Sequence, residues 1–236
     1  MLKYTITFIY LVFIGFTANS QILISILFGD KLNSPNLEFG LDGGLNMSRI
    51  SGLESKSYAV DLHLGFYFDF RIKEQLWFNT GVLVKSSQGA NNLTKNDVLS
   101  LYPNLKTYLD SGQYSQSLGS FNVPLMLKYR FKNHFFIELG PQVSLLTRAR
   151  LNYVHSFNDV KLTTSANNRD SFNRFDVGLV SGIGYKLRKG KGMNIGVKYY
   201  VGLTDITKSN AGVNKNNVIY FKVDIPIGRE KETENN

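Results

Sequence analysis

Asp61, His63 and Asp69 are the residues of this sequence whose types and spacing come closest to a catalytic constellation. They occupy alternate positions of one segment, and alternate side chains of a β-strand point to the same side. A carboxylate and an imidazole within hydrogen-bond reach can act as a general acid–base pair. Catalysis also needs an accessible position with a nucleophile or water nearby, whereas His63 lies in the middle of its segment. A structural hydrogen bond is the commoner role for such a histidine.

No other segment carries a recognisable catalytic pattern. The sequence lacks the G-x-S-x-G, H-E-x-x-H, Walker and dinucleotide-binding motifs, and no connecting segment has the dense carboxylates of a calcium site. We therefore expect a protein that is not an enzyme, with no catalytic residues, no cofactor and no metal. An enzyme, either a protease or a lipid-modifying enzyme, is the alternative that the Asp61 and His63 pair leaves open.

The N-terminus has the pattern of an export signal. Lys3 precedes an apolar run, and the small residues Ala18 and Ser20 stand at the −3 and −1 positions of a cleavage site. The pattern predicts a signal peptide over residues 1–20. The run is shorter than the roughly 20 apolar residues of a membrane-spanning helix, so a permanent anchor is the weaker interpretation.

Composition limits the remaining chain to an ordered domain. Hydrophobic residues make up 43% and aromatic residues 13% of the sequence, too many for a disordered protein. There is no cysteine, so stability cannot come from disulfides. The net charge of +9 is spread along the sequence rather than clustered, and we expect no nucleic-acid partner.

Alternating apolar and polar residues recur in eight runs, a pattern typical of β-strands. The runs are 37–49, 57–71, 75–86, 117–131, 134–147, 173–187, 193–204 and 217–227. Their connections alternate in length. The tight ones lie at 72–74, 132–133 and 188–192, and the long ones at 87–116, 148–172 and 205–216, with a connection of middling length at 50–56. The pattern predicts an all-β fold, an eight-stranded antiparallel up-and-down β-barrel.

Side-chain volume indicates which face of the strands points outward. One parity of every run carries large apolar residues, from Leu37 and Phe39 in the first to Ile225 and Ile227 in the last. An eight-stranded barrel is only just wide enough for its own interior side chains, so this set must face outward, into lipid. A secreted soluble barrel of the lipocalin kind is the rival, because alternation alone does not choose a side.

The opposite parity carries glycine and nearly balanced charge, as expected for buried groups that pair inside a narrow barrel. The predicted inward acids are Glu38, Asp42, Asp61, Asp69, Glu138, Asp176 and Asp224, and the predicted inward bases are Arg71, Lys85, Lys128, Arg130, Arg174, Lys186, Lys198 and Lys222. A small passive pore remains an alternative function. It is the weaker one, because large aqueous channels need about 16 strands.

Aromatic residues gather beside the tight connections, for example Phe68, Phe70 and Trp77 around 72–74. Tight turns with an aromatic girdle are typical of the periplasmic rim of an outer-membrane barrel. The pattern therefore predicts an outer-membrane protein whose termini are periplasmic and whose long connections lie outside the cell.

The long connections contain the candidate contact residues for a partner, which are Tyr102, Tyr108, Tyr114, Tyr153 and Phe157. Aromatic side chains on loops supply apolar contact area for protein recognition. The alternative is that they pack the connections onto the barrel mouth. The predicted partners are outer-membrane lipid and secreted or surface proteins.

Three segments resemble the PorT-like outer-membrane β-barrel proteins of Bacteroidetes. They are "LEFGLDGGLNMSRISG" at 37–52, "SFNVPLMLKYRFKNHFFIELGPQVSLL" at 120–146 and "FDVGLVSGIGYKLRKGKGMNIGVKYYVGLTDI" at 175–206. The resemblance implies an eight-stranded barrel and a role in protein secretion to the cell surface. We expect a signal peptide at 1–20, a periplasmic segment at 21–36, the barrel at 37–228 and a charged tail at 229–236.

Overall fold

The computed structural model describes residues 34–102, 105, 112–157, 160–208 and 212–227. The predicted signal peptide at 1–20, nearly all of the segment at 21–36 and the tail at 229–236 lie outside these residues and stay predictions. Strands in the described part are β1 Leu37–Ser51, β2 Ala59–Arg71, β3 Leu76–Leu93, β4 Gln113–Arg130, β5 Phe135–Phe157, β6 Val160–Asn167, β7 Phe175–Lys186, β8 Asn194–Gly202 and β9 Lys215–Pro226.

Helical structure is confined to short connections in the described residues. Helix α1 spans Lys95–Leu101, helix α2 spans Leu187–Gly190, and a 3-10 turn spans Arg169–Ser171. Across the described ranges, no helix is long and apolar enough to cross a membrane.

Eight of the strands form a closed antiparallel ring. The sheet order is β4-β3-β2-β1-β9-β8-β7-β5, and an additional pairing between β4 and β5 closes it. The remaining strand, β6, pairs only with β5 within the described residues. The predicted eight-stranded antiparallel barrel is therefore confirmed, and β6 is an addition that the sequence did not predict.

One rim of the barrel carries the tight connections and an aromatic girdle. The turns after β2 and β4 are closed by backbone hydrogen bonds such as the 2.8 Å bond from Phe131 N–H to the Phe135 carbonyl. Rings pack there in pairs, including Phe70 with Phe78 and Phe135 with Tyr185. Aromatic rings thus cluster at the rim where the sequence predicted them.

The outward direction of the large apolar side chains is confirmed by their exposure. Leu125, Leu139, Leu179, Ile183 and Phe221 are each exposed although they lie in the middle of paired strands. Phe39 and Ile227 are exceptions, because both are buried. Phe39 packs beside the rings of Phe66 and Phe68, and the backbone N–H of Ile227 bonds to the carbonyl of Phe39 at 3.0 Å.

Three predicted inward bases were wrong. Arg71 and Arg174 are exposed at strand ends, where the connections carry them outside the barrel. Lys85 is exposed because β3 has a bulge: Gly65 pairs with Leu83 while Leu64 pairs with Lys85, so Val84 is the extra residue. A bulge places two neighbouring residues on one side of a strand, and the alternation shifts by one position beyond it. Among the predicted acids, Asp61 is only half-buried.

The long connections predicted at 87–116 and 148–172 were also wrong in large part. Strand β3 continues to Leu93, β4 begins at Gln113, and β5 continues to Phe157 before β6 turns back along it. Polar residues occupy both faces of these extensions, as in "SSQGANN" at 86–92. Such segments lack the alternation that marks a strand covered on one face, which is why sequence reasoning assigned them to loops.

Cysteine labelling on intact cells tests which rim faces outward. Leu99 is exposed on α1 beyond the long strands, and Lys73 is exposed in a tight turn. The protein has no cysteine, so each single substitution provides a unique thiol. We expect Leu99→Cys to react with a membrane-impermeant maleimide on intact cells and Lys73→Cys to react only after the membrane is opened. Labelling of Lys73→Cys alone would invert the orientation.

Candidate functional site

The barrel interior holds a connected set of ion pairs, which we call the lumen network. Nearest the tight-turn rim, Asp69 accepts hydrogen bonds from Lys128, at 2.9 Å to Nζ, and from the guanidinium of Arg130. Glu38 is paired with Lys186 and lies 3.8 Å from Arg130. The predicted pairing of inward charges is thereby confirmed at this end of the barrel.

Glu138 forms the centre of the lumen network. Its carboxylate lies 3.5 Å from Lys128, 3.5 Å from Lys222 and 4.0 Å from Lys198. Lys222 is shared with Asp224 at 2.8 Å. Strands β4, β5, β8 and β9 supply these residues. They come together because inward-facing positions of the four strands lie at the same height along the barrel axis. The removal of Glu138 would therefore take a shared partner from three buried lysines, which keep only Asp69, Asp42 and Asp224.

His63 is joined to the lumen network through Asp42, which lies 3.4 Å from Lys198. Its Nε2 lies 3.3 Å from Asp42, and its ring meets Tyr220 edge-on at 5.2 Å between centroids. Asp61 instead accepts a 2.7 Å bond from the backbone N–H of its neighbour Leu62. Asp69 pairs with Lys128 and Arg130 nearer the tight-turn rim. The structure does not bring the three residues of the sequence hypothesis together, and it gives His63 the enclosed position of a structural group.

Buried tyrosines complete the interior, and sequence reasoning missed them. The hydroxyl of Tyr220 accepts hydrogen bonds from Gln88 at 2.9 Å and from Asn122 at 3.3 Å. Tyr67 donates a 2.9 Å bond to Glu38, and Tyr200 is fully buried. All three stand at inward positions of their strands, next to outward aromatic residues. Assigning alternate residues of each strand to opposite faces would have placed all three in the interior.

The filled interior predicts that the barrel does not conduct like a porin. A cavity of about 20 Å³, lined in part by Gln88, Ser144 and Asp176, lies above the lumen network and has room for one water molecule. We expect purified protein in planar bilayers to give no steady porin-sized current at neutral pH. Stable large-channel currents from a monodisperse sample would contradict the closed lumen, and a 16-stranded porin reconstituted in parallel is the positive control.

A hydrophobic cluster closes the opposite end of the barrel, which we call the cap. Its buried members are Ile50, Leu53, Ala90, Leu93, Val98, Leu101, Tyr114, Leu118, Ala149, Leu151, Phe172 and Ile206. They come from the end of β1, from the extensions of β3, β4 and β5, from α1 and from the connections beside them. The cap gives the segments above the barrel a packed core of their own.

Helix α1 is joined to the connection after β1 by a buried carboxylate. Asp97 accepts hydrogen bonds from the backbone N–H of Glu54 at 2.7 Å and of Ser55 at 3.0 Å. Thr94 forms a capping box with Asp97 at the helix start. Hydrogen bonds from Asn96 and Thr94 to the exposed Glu54 lower the pKa of that carboxyl below its usual value. Two connections that are distant in sequence are thus held as one unit.

Three of the five candidate contact residues have side chains that the structure describes, and all three pack in the cap. Tyr114 is 4% exposed, and its ring lies 4.8 Å from that of Tyr153. Tyr102 and Tyr153 are partly buried against the cluster. Tyr108 lies outside the described residues, as does the side chain of Phe157 at the end of β5. The partner contacts of these five residues stay a prediction.

The surface that the structure does offer above the barrel is the edge of β6. Residues 146–157 of β5 continue beyond the last pair with β7, which joins Leu145 to Phe175, and they pair with β4 on one side and β6 on the other. In the described part of the chain, β6 has no strand on its second edge. Leu162 on this strand is 58% exposed. No group of His, Asp and Glu side chains in the described ranges could hold a metal ion.

A closed antiparallel ring with an apolar outer wall, an aromatic rim and a charged interior is the architecture of an outer-membrane β-barrel. Residues 28–208 match the family model described as outer membrane protein beta-barrel domain, and the chain belongs to that family. The protein is therefore located in the outer membrane. The search of curated proteins found no match.

Several solved structures are similar to this one at low sequence identity. Ail, the attachment invasion locus protein of Yersinia pestis, has 8% identity and a TM-score of 0.42 over 82% of this chain and 100% of that chain. Neisserial surface protein A has 12% identity and a TM-score of 0.41 over 79% and 96%. The outer membrane protein OprG from Pseudomonas aeruginosa has 15% identity and a TM-score of 0.35 over 81% and 93%.

Proposed function

We propose that this protein is a non-enzymatic outer-membrane barrel that presents a β-sheet above the membrane for contact with other proteins. The observation that carries the proposal is the extension of β5 to Phe157, with β4 and β6 paired to it beyond the end of the closed ring. Outer-membrane barrels place their longer connections outside the cell. The extended sheet is then available to proteins displayed at the cell surface or passing to it.

The edge of β6 that has no partner strand among the described residues is the part of this sheet best suited to contact. An exposed strand edge presents a row of N–H and C=O groups that can pair with a strand of another chain. Thr163, Thr164 and Leu162 are exposed along β6. The cap fixes the sheet below them, so binding would not require the edge to be ordered first.

Protein secretion to the cell surface is the more specific role within this proposal. It is the role implied by the resemblance to PorT-like proteins. The partners in this role would be exported proteins. The enclosed position of His63 and the filled interior argue against an acid–base enzyme and against a passive pore. A contact with other proteins at the cell surface is the role that agrees with both of these features and with the fold.

A pair of neighbouring proline substitutions tests the edge. Alternate backbone N–H groups of a strand point to opposite sides, so one of Thr163 and Thr164 directs its N–H to β5 and the other directs it to the open edge. Proline is tolerated only where the N–H is not needed for pairing. We expect one of Thr163→Pro and Thr164→Pro to keep the β5–β6 hairpin protease-resistant while it reduces delivery of exported proteins to the cell surface.

The measurement is the amount of surface-exposed secreted protein in a strain that lacks this protein and is complemented with each variant. Thr163→Ala and Thr164→Ala, which keep both backbone N–H groups, are the matched controls for membrane level and assembly. Unchanged surface delivery in the deletion strain would overturn the secretion role. Full delivery by both proline variants would overturn the β6 edge as the contact surface.

A further inference from the structure

A groove on the outer wall of the barrel lies directly above its apolar band, and we call it the rim groove. It has a volume of about 570 Å³ and lies where the middle of β5 meets the connections before β7 and after β8. Leu145 lines its lower side and pairs with Phe175, whose side chain is 60% exposed on the outer wall. The groove therefore borders the surface that faces lipid.

Three cations line the rim groove, together with one acid, Asp170. Arg169 is held in place by hydrogen bonds from its guanidinium to the carbonyl oxygens of Phe172, at 3.1 Å, and Leu146, at 3.0 Å. Arg174 and Lys208 are exposed. In the described part of the chain, none of the three cations forms an ion pair with a carboxylate. The groove thus has a net positive charge, with three cations against the one acid Asp170.

Backbone contacts bring the three cations together from separate segments. The N–H of Leu146 bonds to the carbonyl of Arg174 at 2.8 Å, and the N–H of Lys208 bonds to the carbonyl of Ser171 at 2.9 Å. Phe172, which is fully buried, anchors the connection in the cap. These contacts fix the position of the backbone that carries the charges, so the groove is a built feature of the rim rather than a chance approach of flexible side chains.

The combination of charge and apolar wall selects the ligand chemistry. Guanidinium groups bind phosphate oxygens by paired, charge-assisted hydrogen bonds. A soluble phosphate would gain nothing from the apolar side chains of Leu145 and Phe175 below the cations. A lipid would place its headgroup at the cations and its acyl chain along this wall, since lysine and arginine near a membrane surface attract anionic headgroups.

We infer that the rim groove binds the phosphorylated headgroup of a lipid of the outer leaflet. Arg169 and Arg174 hold the phosphate oxygens, Lys208 supplies further charge, and an acyl chain lies along Leu145 and Phe175. The site lies at the base of the β5–β6 hairpin and does not depend on a partner protein. It makes the protein a specific lipid binder as well as a membrane-spanning barrel.

Lipid retention by the purified barrel tests this inference. The protein is reconstituted in phosphatidylcholine bilayers that contain a small fraction of diacyl phosphatidic acid, extracted gently, and analysed by native mass spectrometry for bound lipid. We expect the wild type to retain phosphatidic acid in preference to phosphatidylcholine. Arg174→Gln with Lys208→Gln should weaken retention roughly 30-fold, since each cation near the headgroup contributes roughly fivefold.

Two controls separate the groove from general charge and from folding. Lys73→Gln with Lys161→Gln removes two exposed cations outside the groove and should leave retention unchanged. Arg174→Lys with Lys208→Arg keeps both charges and should retain the lipid. Heat-modifiable gel mobility shows that each variant is a folded barrel. Equal loss in the control pair, or equal retention of phosphatidylcholine by the wild type, would overturn the site.

Competition with inorganic phosphate distinguishes a lipid from a soluble anion. Phosphate at millimolar concentration should not displace phosphatidic acid, because it lacks the acyl chain that contacts Leu145 and Phe175. Displacement by phosphate alone would overturn the lipid assignment. Retention that is unaffected by Arg174→Gln with Lys208→Gln would overturn the groove as the binding site.

Discussion

Glu138→Ala is expected to lower the free energy of unfolding by about 3–5 kcal/mol, which is the typical cost of removing one member of a buried ion pair. Glu138 is 3% exposed and lies within 4.0 Å of Lys128, Lys198 and Lys222. Alanine would remove one negative charge from the lumen network and leave each lysine with a single close carboxylate, namely Asp69, Asp42 or Asp224. The narrow interior cannot hydrate the positive charge that is then in excess. Urea titration of barrel folding in lipid vesicles, followed by gel mobility without heating, measures the loss.

Two further variants identify the cause of that loss. Glu138→Gln keeps the side-chain volume and removes the charge, so we expect most of the destabilisation to remain. Glu74→Ala removes an exposed carboxylate in a tight turn and should change stability by no more than about 0.5 kcal/mol. A Glu138→Ala variant as stable as Glu74→Ala would mean that water reaches the interior and that the lumen network does not stabilise the barrel.

Gly182→Phe is expected to prevent correct folding, whereas Leu179→Phe on the same strand is expected to be tolerated. A Cβ atom on Gly182 would lie 3.0 Å from Cγ of Glu138 and 3.1 Å from Cγ of Lys198, so a phenyl ring would displace the lumen network. Overpacking alone typically costs about 1–3 kcal/mol, and the displaced ion pairs add to that cost. Leu179 is 48% exposed on the outer wall, where lipid accepts a larger apolar group.

Refolding into detergent or lipid, followed by heat-modifiable gel mobility, reports both outcomes. Leu179→Arg is a useful third variant, because a charge on the lipid face near the bilayer midplane costs roughly 2–4 kcal/mol. Normal folding of Gly182→Phe together with failure of Leu179→Phe would mean that the two faces of β7 are assigned the wrong way round.

Alternation and side-chain volume in the sequence were sufficient to predict the barrel and its two faces. Leu179 and Ile183 are large and apolar at one parity of β7, while Gly178 and Gly182 are small at the other. Only one arrangement places bulky groups where space is unlimited and small groups where eight strands crowd together. The prediction of the fold succeeded because it depends on local periodicity, which each strand carries by itself.

Departures from that periodicity could not be predicted. The bulge at Val84 turns Lys85 outward, and nothing in the local sequence marks the extra residue, because its position is set by the pairing of β3 with β2. The extension of β5 to Phe157 and the added β6 have the same origin. Their polar residues would suit a loop equally well, and they form strands because backbone partners are available beside them.

The choice of partner for each functional group was decided by the tertiary structure. Sequence reasoning placed His63 with Asp61 and Asp69 because they share a strand face, but its partner is Asp42 on the neighbouring strand β1. Likewise, Arg169, Arg174 and Lys208 come together only through contacts between separate connections. The sequence by itself determined the lumen or lipid side of most strand residues, since parity is local wherever no bulge interrupts it. Only the closed barrel decided which of them meet, since strand register and loop packing join residues that are distant in the chain.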